Sequence, residues 1–76
     1  MFLQELFSKR VKKLRVVAGL KQSDVANAAG ITNKSISMIE SGQRGASIEV
    51  VCSLADYFNV SLDYLVGRSD NPEINQ

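Results

Sequence analysis

Gly30-Ile31-Thr32-Asn33-Lys34-Ser35-Ile36-Ser37-Met38-Ile39-Glu40 is the stretch that decides the fold. Its residues spell a short helix entered through a glycine turn. Thr32 is a favoured N-cap, because its hydroxyl can accept from an orphan amide of the first turn. Ile31 before the cap and Ile36 four residues into the helix form a hydrophobic staple. Ile36 and Ile39 share one face; Asn33, Lys34, Ser37 and, more laterally, Met38 lie on the other. One short helix therefore has an apolar back and a hydrogen-bonding front.

The chain on either side reads as further helices. Leu3, Phe7, Val11 with Leu14, and Ala18 recur at helical spacing over residues 2–18, and Gly19 stops that helix. Residues 22–29 form a second helix, thin because of Ala26, Ala28 and Ala29. Its cap position holds Lys21, a poor cap, for which Asp24 three residues on compensates by reaching back to a backbone amide. After the polar loop Ser41–Ala46, Ser47 caps a fourth helix that Asn59 ends. Ile48, Val51, Cys52, Ala55 and Phe58 make its apolar stripe, widened by Val50, Leu54 and Tyr57, so it is expected to be central and buried, with Cys52 as a small core residue. Ser61 caps a fifth helix, stapled by Val60 and Leu65 and closed by Gly67. Residues 68–76 contain Pro72, are otherwise polar, and read as a loose tail after a domain of residues 1–67. Five helices, short loops and no strand pattern predict an all-α domain.

Composition bounds the function. The 76 residues fit one domain, and 45% are apolar, enough for a core. The single cysteine rules out an internal disulfide and suits a reduced, cytoplasmic setting. No apolar run approaches the roughly 20 residues of a membrane span, and the N-terminus has the wrong charge order for a signal peptide. There is no histidine, and no acid pair or metal-ligand cluster at a useful spacing, so neither an enzyme, a metal site nor a cofactor is expected. Nothing suggests a small-molecule ligand.

Net charge is only +1, but its distribution is lopsided. From Lys9 to Arg44 there are eight basic side chains and two acidic ones; from Gly45 onward, one basic and five acidic. That asymmetry suits a module that meets a polyanion on one side. The helix starts sharpen this. Asp24, Glu49 and Asp63 place an acid in the first turn of helices two, four and five, where it complements the helix dipole. The third helix has Asn33, Lys34 and Ser35 there instead. Lys21 repeats the violation at the start of helix two. An anion at both starts turns each penalty into a gain, since helix N-termini bind phosphates. Asn33, Lys34 and Ser37 also suit base reading: Asn pairs with adenine, Lys donates to guanine acceptors, and Ser is adaptable. The expectation is that this face enters the major groove of double-stranded DNA. Thr32, Ser35 and Met38 complete the contact set on the helix. Gln22 lies at the start of helix two, and Gln43 and Arg44 lie on the following loop, positioned for phosphates.

The run Gln22-Ser-Asp-Val-Ala26-x-x-x-Gly30-Ile-Thr-x-x-x-Ile36-Ser-x-Ile39-Glu40-x-Gly42 resembles the helix-turn-helix of the lambda-repressor/Cro (Xre) family. Leu14-Arg15 before it, and Leu54-Ala55-x-x-x-Asn59-Val60-Ser61-Leu62-x-x-Leu65 after it, extend the resemblance over residues 8–67. It implies a five-helix bundle whose helices two and three form the helix-turn-helix. It implies operator binding as a homodimer, with helix three in the major groove and Gln22 as a contact. It also implies an ion pair between Arg15 and Glu40. Two positions depart from the pattern: Lys21, where Ser or Thr is usual, and Ala46, where Pro is usual and whose absence leaves the loop more mobile. The implied role is a transcriptional regulator, a repressor rather than an activator. The alternative is a protein-interaction module such as an antitoxin. Phe2, Leu3, Leu6, Tyr57, Leu62 and Tyr64 exceed what one small core needs and suit a contact between copies.

Overall fold

The computed structural model describes residues 4–74, which form five helices and no strand: α1 Gln4–Val17, α2 Gln22–Ala29, α3 Asn33–Glu40, α4 Ile48–Phe58 and α5 Leu62–Leu65. Phe2 and Leu3 lie outside the described residues. Capping chemistry sets the boundaries. Thr32, Ser47 and Ser61 each accept a bond from the third backbone amide of the helix they open, at 3.1, 3.3 and 3.0 Å. Each such bond contributes about 1 kcal/mol. Lys21 has extended cap geometry but no side-chain acceptor, and its own N–H donates to Asp24 Oδ2 at 2.9 Å. Between α2 and α3 lie only three residues. Gly30 turns the chain there with φ 71°, a left-handed conformation that a side chain would strain.

The helices pack α1 on α3 and α5, α2 on α3 and α4, and α4 on α5. Phe7 and Val11 of α1, Val25 and Ala26 of α2, Ile36 and Ile39 of α3, and Val51, Leu54 and Ala55 of α4 meet in one core with Val60 and Leu65. Burying each large aliphatic side chain contributes about 1.5–3 kcal/mol. The backs of α2 and α3 are thus fixed in the core, and their polar fronts are turned outward.

Three expectations are corrected. Cys52 is exposed rather than a core residue, and Ile48 on the same flank is 66% exposed. The stripe on α4 is wider than its cover: Val51, Leu54 and Ala55 join the core shared with the other helices, while Ile48 and Cys52 lie outside it. Ala18 is also exposed, because α1 ends at Val17 and the chain turns away before another apolar contact can form. Of the stretch read as a loose tail, residues 68–74 run back over the bundle. Ser61 N–H donates to Pro72 C=O at 2.9 Å, and the Arg10 guanidinium donates to the Tyr64 carbonyl, to Ser69 C=O at 2.7 Å and to Asp70 Oδ1 at 2.8 Å. Arg10 also lies 4.2 Å over the Tyr64 ring.

Candidate nucleic-acid interface

Ile36 and Ile39 are fully buried on the inner face of α3, which orients its outer face. Asn33, Lys34 and Ser37 are exposed there and make no side-chain hydrogen bond or ion pair among the described residues. Thr32 and Ser35 are engaged internally. The Thr32 hydroxyl accepts from Ser35 N–H and donates to Ser35 Oγ, both at 3.1 Å. Ser35 Oγ also accepts from Arg44 Nη1 at 3.4 Å, so Ser35 faces the loop after α3. Met38 is half-buried at the edge of the face.

That loop is tied at both ends. Gly42, with φ 80°, ends α3 in a left-handed turn closed by Gln43 N–H on Met38 C=O at 2.9 Å. Gln4 Nε2 of α1 holds the Gly42 carbonyl at 3.1 Å. Ala46, at the position expected to leave the loop looser, is half-buried against the core. Gln43 and Arg44 are exposed between these anchors.

Behind α3 sits the ion pair. Arg15 Nε donates to Glu40 Oε2 at 2.6 Å and Nη2 to Oε1 at 2.9 Å, while Nη1 reaches Leu20 C=O at 3.0 Å. The hydrogen bond to Glu40 raises the Arg15 pKa above its ordinary value; burial works against it, and the carboxylate's charge adds to it. Gln22 Nε2 donates to Glu40 Oε1 at 3.2 Å. A carboxylate can only accept, so this contact fixes which end of the Gln22 amide faces Glu40. Gln22, Arg15 and Glu40 therefore form one network linking α1, α2 and the end of α3.

Gln22 and Ser37 line a polar recess of about 270 Å³ together with Lys12, Arg15, Glu40 and Ser41. Lys12 is the residue that sequence reasoning missed, counting it only as part of a basic helix surface. Its signal was spacing: it lies three residues before Arg15, on the adjacent turn of α1. Lys12, Gln22 and Ser37 thus border one recess, and Arg44 meets α3 through Ser35.

The helix-turn-helix family model matches residues 11–65. The chain is 32% identical over 68 residues to the HTH-type transcriptional regulator ImmR of Bacillus subtilis, covering 90% of this chain and 54% of that protein. It is 32% identical to the cryptic phage CTXphi transcriptional repressor RstR of Vibrio cholerae, covering 86% of this chain and 59% of that one. It therefore spans a little over half the length of these relatives. The fold superposes on the P22 c2 repressor, solved with a synthetic operator, at a TM-score of 0.79 and 23% identity, covering 84% of this chain and 97% of that one. A transcriptional regulator from Listeria innocua superposes at a TM-score of 0.77 and 31% identity, covering 80% and 57%.

Proposed function

Because the chain belongs to the helix-turn-helix family of lambda-repressor/Cro (Xre) type, we propose that it is a sequence-specific DNA-binding transcriptional regulator. The observation that carries this is the outer face of α3. Asn33, Lys34 and Ser37 stand exposed on a helix whose back is locked by Ile36 and Ile39. These three read base edges in the major groove. Gln22, at the start of α2, contacts the backbone or an adjacent base, while Gln43 and Arg44 hold phosphates. Thr32 and Ser35 act at one remove: they cap α3 and brace Arg44. Met38 contributes an apolar edge.

The regulator acts as a repressor in the cytoplasm, occupying an operator and excluding polymerase. That one relative is named a phage transcriptional repressor supports this over activation. It binds as a homodimer to a palindrome with half-sites about 10–10.5 bp apart, centre to centre. The uncovered apolar flank of α4 and α5 supports the dimer. Cys52, Ala55, Val60, Leu62 and Ile74 line a recess of about 300 Å³ there, and Leu62 is partly exposed. Leu62→Asp is expected to yield a monomer by analytical ultracentrifugation that binds single half-sites weakly.

Selection of bound duplexes from a random pool tests the whole reading. A palindromic consensus is expected. Repeated selection without any enriched motif would sink it and favour a module that binds protein through the α4–α5 flank.

A further inference from the structure

The geometry points to residues 71–74 as a strap that lies along the α4–α5 recess and must lift before a second copy can dock there; this rests on the homodimer reading above. The segment after α5 is held in two parts. The first part is anchored to α1, because Arg10 donates to Ser69 C=O at 2.7 Å and to Asp70 Oδ1 at 2.8 Å. The second part, residues 71–74, is exposed throughout and rests on the cap of α5. Ser61 N–H donates to Pro72 C=O at 2.9 Å, and Ser61 Oγ to Asn71 C=O at 3.3 Å. Beyond Pro72 the bonding turns back on the segment itself: Glu73 N–H donates to Asn71 Oδ1 at 3.1 Å. No hydrogen bond holds Ile74 among the described residues. Its side chain lines the recess with Leu62 and Cys52, and the residue is 47% exposed.

Lifting the strap costs little. Ser61 Oγ keeps the bond from Tyr64 N–H at 3.0 Å that caps α5, while Ser61 N–H and Pro72 C=O pass to water. Lifting also takes charge out of the contact. Asp56 and Asp63 line the recess, and Glu73 borders the adjoining one together with Asp63 and Ile74. Arg68 lies 3.9 Å from Asp63, but the two side chains are 61% and 62% exposed, so that pair is weak. In a two-fold contact both copies present the same patch, so a closed strap brings Glu73 toward the partner's carboxylates. Well-packed interface centres are depleted of such charges. An open strap removes Glu73 and frees the space that Ile74 fills, and the second copy covers Leu62 and Cys52 with apolar side chains of its own. The strap therefore competes with the second copy for one recess and sets the concentration at which the chain dimerises.

Sedimentation equilibrium on the wild type, on a chain shortened to end at Asp70 and on Ile74→Ser tests this. Residues 71–74 contribute nothing to the core, and thermal melts check that each variant folds. The dimer dissociation constant is expected to fall about three- to tenfold in the shortened chain, as the release of a half-buried isoleucine from the recess implies, and to move the same way in Ile74→Ser. Adding Leu62→Asp to the shortened chain should return a monomer, which ties the tighter contact to the same recess. A weaker dimer in either variant would show that residues 71–74 build the interface, and an unchanged one that they do not obstruct it. Either result overturns the strap and leaves the homodimer reading intact. If the wild type and the shortened chain both stay monomeric, alone and on a palindromic duplex, the homodimer reading falls and the strap with it.

Discussion

Arg15 grips Glu40 with two parallel hydrogen bonds of 2.6 and 2.9 Å, and the Glu40 side chain is only 4% exposed. The pair closes the gap between α1 and the end of α3. A buried pair adds little net stability over apolar residues of the same size, but removing one partner strands a charge and costs about 3–5 kcal/mol. Arg15→Met is therefore expected to lower the urea midpoint severely, since small domains have only about 5–15 kcal/mol to lose. Arg15→Met combined with Glu40→Leu should recover most of the loss. Because the Arg15 pKa is raised, its contribution is complete at any pH below the ordinary guanidinium value and lost only as pH rises through the still higher folded one. The stability gap between wild type and Arg15→Met should accordingly not shrink between about pH 6 and 9.

The triple variant Asn33→Ala, Lys34→Ala, Ser37→Ala removes only exposed side chains from α3. Its melting temperature should stay near that of the wild type while preference for the selected operator over random duplex disappears. Each good base contact contributes about 1–3 kcal/mol of discrimination. Retained operator preference in competition binding would refute the assignment of α3. Arg44→Ala, by contrast, should weaken operator and random duplex alike and flatten the salt slope by about one unit.

Lys21 holds a capping position that its side chain cannot serve. The backbone already has cap geometry, φ −83° and ψ 159°, so Lys21→Ser needs no rearrangement to accept from the first turn. The variant should gain about 0.5–2 kcal/mol in denaturant unfolding. It also loses a cation at the positive end of α2, and its DNA affinity should fall evenly across sequences. A variant that gains stability and keeps full affinity would show that Lys21 meets no phosphate.

Arg10 is the clasp of the C-terminal segment. Its side chain is 12% exposed and binds two backbone carbonyls, those of Tyr64 and Ser69. Hydrogen bonds to charged groups contribute about 1.5–3 kcal/mol, so Arg10→Ala should destabilise by that order and speed hydrogen exchange at the amides of Ser61 and Arg68. Asp70→Asn should leave stability unchanged, because the Asp70 side chain is fully exposed. Arg10→Lys should rescue only in part, since an ammonium lacks the planar fork that reaches both carbonyls.

The local rules were legible because they are local. Thr32, Ser47 and Ser61 announce α3, α4 and α5 through bonds that span three residues, and Asp24 and Gly30 mark the two ends of α2. The front of α3 was legible for the same reason: Ile36 and Ile39 fix its back, and the remaining positions must face out. Cys52 and Ile48 were not. Periodicity gives the direction of an apolar stripe, but its covered width depends on which helices pack against it. Ser8, buried on α1 with its hydroxyl on Gln4 C=O at 2.9 Å, escaped for a related reason. A small polar residue that satisfies itself within one turn carries no outward sign of burial.

By itself, then, the sequence determined the all-α class, the bounds of α2, α3 and α4, the helix-turn-helix and the polar face of α3, all consequences of capping, spacing and dipole chemistry within a few residues. Only the tertiary structure decided how the cations of α1 divide their work. Lys9, Arg10, Lys12, Lys13 and Arg15 look alike along the chain. A guanidinium finds its partner 25 residues away in Glu40 or 60 away in Asp70, and the packing of α1 against α3 and α5 determines which one. The same packing leaves Lys12 beside Gln22 and Ser37, because residues distant in sequence share a recess only once three helices have met.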